Sequence, residues 1–231
     1  MKNILLAFIF LGVINETSAQ RLTKVVVAEK GAKVTYSIGL DQDVILELNQ
    51  DGTSGKWGID RYAGRMDANY RETVLQNFEG RVEYYDNNAN EAYRGKVKYI
   101  GGTLITYFAT YDDKDWVGKI KSIGNLNINY YSKYDDAMAT GRLKSIGQLL
   151  ITYYSGFEND MVKGKVKSIG NAGLTYYTSM DDKAFAGKIK TFNGNSFVYY
   201  SSVDQPSFKG ALKSGNQLQM INSVAYKINC Y

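Results

Sequence analysis

The chain has 231 residues, with 28 Lys and Arg against 23 Asp and Glu, a formal net charge of +5 and no histidine. The absence of histidine excludes the usual serine and cysteine triads, which need a histidine base, and most zinc sites. The single cysteine, Cys230, excludes an intramolecular disulfide, so packing and strand pairing must stabilise the fold. The mild basic bias is compatible with anionic partners.

The first 19 residues have the pattern of a secretory signal peptide. Lys2 supplies the positive start, residues 4–13 form an apolar run, and residues 17–19 are small, as a signal peptidase requires. The apolar run is shorter than the roughly 20 residues of a membrane-spanning helix, and no later segment reaches that length. We therefore expect an exported bacterial protein, periplasmic, cell-surface or secreted, that begins at Gln20 or Arg21 and carries no transmembrane helix.

Residues 20–71 show strand patterns without a repeat. The stretch KVVVAEKGAKVTYSI predicts a hairpin across Lys30-Gly31, and VILELNQDGTSGKWGI predicts another across residues 50–52. Terminal units of stacked arrays are commonly atypical because they cover an exposed end. We expect this region to form an irregular N-terminal β cap and not a catalytic domain.

Residues 72–216 repeat with a period of 23. Glycines keep this interval without an insertion at Gly95, Gly118, Gly141, Gly164, Gly187 and Gly210. A hydrophobic residue, an aromatic pair and an acidic residue recur in the same phase, and apolar residues alternate with polar ones, which indicates strands. The sequence predicts an all-β fold: an antiparallel meander of about six β-hairpins in one open or curled sheet, with a closing strand at 217–231.

The hairpin loop can be predicted from the hydrophobic pattern. A two-residue turn at Gly124-Asn125 would pair Ile120 with Asn129 and mix apolar with polar residues on both faces. A three-residue loop would place Ile120 beside Ile128 or Tyr130 and collect the apolar residues on one face. We therefore expect the three-residue loop, which commonly places Gly or Asn in the left-handed conformation.

The units share a short motif around the repeated glycine. The motif has an aromatic or aliphatic residue two positions before the glycine and a hydrophobic residue two positions after it, as in WVGKI at 116–120 and FAGKI at 185–189. With the 23-residue hairpin period, this motif resembles MORN repeats, which form open arrays of β-hairpins. The His-Gly-x-Gly half of that motif is replaced by Tyr-Tyr. MORN arrays act as scaffolds, oligomerisation modules and, in some families, lipid binders, so the resemblance implies a non-enzymatic role.

Stacking of the units aligns lysines and tyrosines into rows on one face. The lysines would contact anions and the rings would stack on sugars, although exposed lysine also serves solubility and edge protection. The candidate ligand-binding residues are Lys96, Lys98, Lys119, Lys121, Lys144, Lys165, Lys167, Lys188, Lys190, Tyr131, Tyr154 and Tyr177. They imply an anionic glycan, lipopolysaccharide or lipid head group as partner, with no specific nucleic acid. A protein partner or self-association is a further alternative.

Acidic residues also recur in the predicted loops. The pairs at 112–113, 135–136 and 181–182 are candidate calcium ligands, but they lack the tight spacing of a known calcium loop and more often form turns. Catalysis by two carboxylates, as in glycosidases, needs one asymmetric constellation, which repeated acids do not supply. We predict no cofactor, no metal site and no enzymatic activity, with a carbohydrate-active enzyme as an alternative.

An outer-membrane β-barrel is the other alternative, because two strands per 23 residues and the terminal aromatic Tyr231 suit one. The residues that would then face lipid include Asn229 and Lys227, which is unfavourable. The function predicted from the sequence is that of an exported binding or scaffolding module for an anionic glycan or lipid.

Overall fold

The computed structural model describes residues 20–60 and 75–230. The predicted signal peptide, residues 61–71 of the predicted cap, the first three residues of the predicted array and Tyr231 lie outside the described residues. Regular structure in the described ranges is β-strand apart from a short 3-10 turn at Asp41–Asp43. The all-β prediction is confirmed.

The two ends of the chain form one six-stranded sheet, here called the cover sheet. Its strands are β1 (Arg21–Ala28), β2 (Val34–Gly39), β3 (Val44–Asn49), β4 (Ser54–Ile59), β18 (Leu218–Ile221) and β19 (Val224–Asn229), in the spatial order β18-β19-β1-β2-β3-β4. β1 pairs in parallel with β19, where Val25 lies opposite Tyr226. The predicted closing strand is therefore a hairpin, and it joins the N-terminal region.

The repeats form an eleven-stranded antiparallel sheet, here called the array sheet. Its strands are β5 (Val82–Tyr84), β6 (Val97–Ile100), β7 (Thr103–Tyr107), β8 (Ile120–Ile123), β9 (Leu126–Tyr130), β10 (Leu143–Ile146), β11 (Leu149–Tyr153), β12 (Val166–Ile169), β13 (Ala172–Tyr176), β14 (Ile189–Phe192) and β15 (Asn195–Ser196). β16 (Val198–Tyr199) and β17 (Leu212–Ser214) form a separate pair. Each strand of the array sheet pairs with its neighbours along the chain, which confirms the predicted antiparallel meander.

The hairpin loops are shorter than expected. Ile123 pairs directly with Leu126, so the turn is the two-residue Gly124-Asn125 and the prediction of a three-residue loop is wrong. Gly124 has a φ of 55°, the left-handed value that the first central residue of a type II′ turn requires.

A β-bulge explains how a two-residue turn still places the apolar residues on one face. On the other side of β8, Thr106 pairs with Ser122 but Tyr107 pairs with Ile120, which leaves Lys121 as the extra residue. A bulge inserts one residue and so changes the side on which the following residues point. Ile120 consequently faces the core together with the apolar residue next to the turn, and Lys121 stays outside.

The repeated glycine is required by the backbone. Gly118 and Gly141 have φ values of 76° and 74°, in the left-handed region that disfavours residues with a Cβ. A Cβ on Gly118 would also lie 2.9 Å from the carbonyl oxygen of Ala92 in the preceding unit. The positive φ explains the unbroken glycine column, and close approach between units adds to the constraint at Gly118.

One hydrophobic core is shared by the cover sheet and the array sheet. Leu48 of the cover sheet and Leu143 of the array sheet are both 0% exposed. Backbone hydrogen bonds join the sheets at separate units, since Leu143 N donates to Gln50 O at 2.9 Å and Ile189 N donates to Glu29 O at 3.1 Å. The N-terminal region therefore lies along several units of the array and not only at one end.

Candidate functional site

The first row of predicted cations serves as a set of clamps between units. Each side chain reaches forward and donates a hydrogen bond to the carbonyl oxygen of the repeated glycine in the next unit, at 2.5 Å for Lys165 and 2.6 Å for Lys188. The pairs are Lys96 with Gly118, Lys119 with Gly141, Arg142 with Gly164, Lys165 with Gly187, and Lys188 with Gly210. A charged donor on the backbone carbonyl of the next unit gives these residues a structural role.

Partial burial lowers the pKa of three clamps, Lys96, Lys119 and Lys165. Desolvation lowers the pKa of Lys96 and of Lys119. Desolvation, with a smaller contribution from the charge of Lys30, lowers the pKa of Lys165 to about 8. Lys188 also forms an ion pair with Glu29 of the cover sheet, with Nζ and Oε1 2.6 Å apart. These amines are engaged inside the fold and present little charge to an external ligand.

The second row of cations lies on the outer face of the array, and it is here called the lysine column. Each ammonium lies 5.1–5.7 Å from the centroid of an aromatic ring, within the range of a cation–π contact. The pairs are Lys98 with Tyr85, Lys121 with Phe108, Lys144 with Tyr131, Lys167 with Tyr154, Lys190 with Tyr177, and Lys213 with Tyr200. The rings hold the lysine stems in place on the outer face. Two of the charged ends also meet a loop acid, Lys144 at 2.8 Å from Asp135 and Lys190 at 3.7 Å from Asp181.

The three candidate tyrosines form hydrogen bonds within the protein. The hydroxyls of Tyr131, Tyr154 and Tyr177 donate to backbone carbonyl oxygens in the next unit, at 2.9, 2.8 and 2.9 Å. Desolvation raises the pKa of all three phenols. Because these rings are half-buried and hydrogen-bonded, they support the lysine column and do not offer a free face for stacking on sugars.

A ladder of polar side chains runs beside the lysine column. Hydroxyl pairs join neighbouring strands at Thr106–Ser122 (2.7 Å), Thr152–Ser168 (2.7 Å) and Thr175–Thr191 (2.6 Å), and the amide of Asn129 donates to Ser145 at 2.9 Å. Shallow depressions at equivalent positions of successive units contain Lys144 with Leu150 and Lys167 with Gly173. This polar ladder was not among the predicted site residues, which were limited to lysines and tyrosines. Ser122 and Ser168 lie beside the lysines because the bulge places two consecutive residues on the outer face.

The repeated acids form turns in the connecting loops. Asp135 Oδ2 accepts hydrogen bonds from Ser132 N at 2.8 Å and Oγ at 3.0 Å, and Asp204 is bonded to Ser201 in the same way. Lys144 donates to Asp135 at 2.8 Å, and these contacts hold the pKa of Asp135 below its usual range. Within residues 20–60 and 75–230, no group of three or more Asp, Glu or Cys side chains is arranged to hold a metal ion.

Comparisons with family models, with curated proteins and with solved structures each find no match for this chain. The part of the chain that the structure describes contains no helix with the length and hydropathy of a membrane span.

Proposed function

We propose that this chain is an exported, non-enzymatic binding and scaffolding protein that holds an extended anionic glycan along the outer face of its array. The observation that carries the proposal is the lysine column, six cations on the outer face that follow one another at the repeat period, of which Lys144 and Lys190 also pair with loop acids. The scaffolding part also draws on the resemblance of the hairpin array to MORN repeats.

Charge is separated between strands and loops. The strand segments of the units, at 95–109, 118–132, 141–155, 164–178, 187–201 and 210–216, contain eleven Lys and Arg and no Asp or Glu. The five connecting loops, at 110–117, 133–140, 156–163, 179–186 and 202–209, contain ten Asp and Glu. The strand segments are therefore cationic although the net charge of the chain is modest. They would attract a polyanion, and binding would release the counterions of the polyanion.

Spacing and polarity favour a polymer over a small ligand. Equivalent lysines stand two strands apart, about 9–10 Å. The polar ladder beside them, for example Thr152 with Ser168, offers hydroxyl groups of the kind that hydrogen-bond sugar hydroxyls. The depressions on this face are shallow and open, so a chain that lies across several units makes more contacts than a single sugar would.

Binding of the mature protein to immobilised heparin, polygalacturonate and uncharged dextran tests the proposal, measured over a series of salt concentrations. We expect binding to the two anionic glycans and not to dextran. The double variant Lys121→Gln/Lys167→Gln should bind more weakly and reduce the slope of log affinity against log salt by roughly two, about one per lysine.

The matched control is Lys114→Gln/Lys183→Gln, which removes the same charge from the connecting loops. The control should keep the affinity and the salt slope of the unaltered protein. Equal losses in both double variants would show that only net charge matters, and failure of the unaltered protein to bind either anionic glycan would reject the proposal.

A further inference from the structure

The connecting loops carry a second periodic feature, a line of exposed apolar side chains that we call the apolar ridge. Its members stand 23 residues apart and are almost fully exposed: Tyr111 (85%), Tyr134 (84%), Phe157 (101%), Met180 (94%) and Val203 (91%). Such side chains add nothing to the core, and their recurrence at the same place in every connecting loop distinguishes them from singly scattered surface apolar residues.

Comparison of the five loops with one another shows that turn geometry does not select these residues. The position before the ridge residue holds Thr110, Lys133, Gly156, Ser179 and Ser202, and the position three after it holds Lys114, Ala137, Asp160, Lys183 and Pro206. Both neighbouring positions change freely in size and charge. The ridge position is large and apolar in all five loops although it contacts solvent, so a constraint from outside the monomer is the simplest explanation.

The charge around the ridge defines its partner. The five connecting loops contain ten Asp and Glu against five Lys, which makes this edge acidic as well as apolar. Some of these acids are partly neutralised, as Asp135 is by Lys144 and Asp181 by Lys190. The excess still opposes contact with an anionic membrane or with a second ridge, and it favours a surface that combines cations with apolar recesses.

The outer face of the same chain is such a surface. Two depressions lie at equivalent positions of successive units, one with Lys144 beside the half-exposed Leu150 and the other with Lys167 beside Gly173. The first also contains Asp135, which pairs with Lys144. Ridge and depressions have the same spacing of about 9–10 Å, because both occur once per hairpin. A ridge laid along this face would place two neighbouring apolar side chains in the two depressions and bring the loop acids close to the lysine column.

We propose that the apolar ridge of one copy binds the outer face of a second copy. The two surfaces differ, so the contact is heterologous, and each added copy leaves a free ridge and a free face for the next. Such a contact builds open chains of subunits and not closed dimers. The inference is independent of glycan binding, although a bound polyanion would compete for the lysine column.

Sedimentation velocity of the mature protein over a concentration series tests the proposal. We expect a progressive increase in mass with concentration. Two variants should each remain monomeric: the ridge variant Tyr134→Ser/Phe157→Ser/Met180→Ser and the face variant Lys144→Gln/Leu150→Asp. The ridge variant replaces exposed side chains only, so circular dichroism should show an unchanged fold.

Mixing the two variants separates this contact from any other mode of association. The ridge variant keeps an intact face and the face variant keeps an intact ridge, so the mixture should form a one-to-one complex that grows no further. Self-association of the face variant alone would indicate that ridges pair with each other and would overturn the proposal. An unaltered protein that stays monomeric throughout would do the same.

Discussion

The cover sheet joins strands from the two ends of the chain, with Val25 opposite Tyr226, whereas each strand of the array sheet pairs with its neighbours along the chain. The array sheet is stabilised by contacts that recur in every unit, such as the clamp from Lys119 to the carbonyl of Gly141. The cover sheet has no repeat and contributes a continuous set of buried aliphatic side chains. Local periodic pairing and long-range closure are therefore divided between the two sheets.

The array sheet depends on the cover sheet to bury its inner face. The inner face of the array is apolar along its length, and the hairpins cannot bury it against one another because they lie side by side in one sheet. The non-repeating ends of the chain cover that face. β1 can pair with β19 only when nearly the whole chain is available. We therefore expect the folding rate and the stability to depend on both sheets and not on the array sheet alone.

The largest expected effect tests whether the two sheets unfold together. Ile228→Ala in the cover sheet or Ile128→Ala in the array sheet should each cost about 2–5 kcal/mol, because both side chains are buried in the shared core. The two tryptophans report separately, since Trp57 lies in β4 and Trp116 in a connecting loop of the array. Urea unfolding in a Trp116→Phe and in a Trp57→Phe background should give coincident midpoints, lowered alike by either alanine.

Met220→Ala serves as the control, because this side chain is 53% exposed on β18, and it should change stability by no more than about 0.5 kcal/mol. Separate transitions for the two tryptophans would contradict the shared core and would make the array an independent unit.

The next effect separates backbone strain from steric contact in the glycine column. Gly95→Ala should cost about 1 kcal/mol, because its φ is 75° but no atom lies within 4 Å of the new Cβ. Gly118→Ala should cost about 2–3 kcal/mol, since the carbonyl oxygen of Ala92 is also only 2.9 Å away. Gly173→Ala, in an open strand position, should be neutral or slightly stabilising. Equal costs at the first two positions would rule out close approach between units as a constraint.

A smaller effect distinguishes the clamps from the lysine column. Lys119→Met removes the donor to the carbonyl of Gly141 and should cost about 1–2 kcal/mol, whereas Lys121→Met should change stability by less than about 0.5 kcal/mol. Lys119→Arg should retain most of the stability, because Arg142 makes the equivalent contact in the next unit. Denaturant midpoints of the three variants measure the difference, and similar losses for Lys119→Met and Lys121→Met would count against the clamp.

Much of the array could be predicted from the sequence because its signal is repeated. The period, the strands and the antiparallel meander follow from the glycine, hydrophobic and aromatic columns. The loop length did not follow, because a bulge at Lys121 changes the alternation that register arguments assume. The position of the cover sheet could not be predicted either, since no local pattern shows that β1 will pair with a strand at the far end of the chain.

The candidate site was predicted by residue type but not by role. The clamps and the lysine column are both lysine-rich rows of the same period, and only the contact from Lys96 to Gly118, across 22 residues, separates the first from the second. The apolar ridge was also present in phase in the sequence, from Tyr111 to Val203. Its exposure depends on loops that leave the sheet, which alternation within strands does not reveal.

The smallest expected effect uses pH to examine one clamp. Lys165 has a pKa of about 8 in the folded protein against 10.5 for an ordinary lysine, so between these values the unfolded chain binds more protons. The free energy of unfolding should therefore rise with pH across that window, as linkage requires.

Because Lys165 is only partly buried and water screens its charge, the contribution is expected to be about 1 kcal/mol. Urea midpoints between pH 7 and 9.5 should show this rise in the unaltered protein and in Lys167→Met, and a smaller rise in Lys165→Met, where the lowered pKa values of Lys96 and Lys119 still contribute. The upper limit stays below the ordinary tyrosine pKa of 10.0, above which burial of Tyr130 and Tyr176 makes high pH destabilising. A rise of unchanged size in Lys165→Met would assign it to another group.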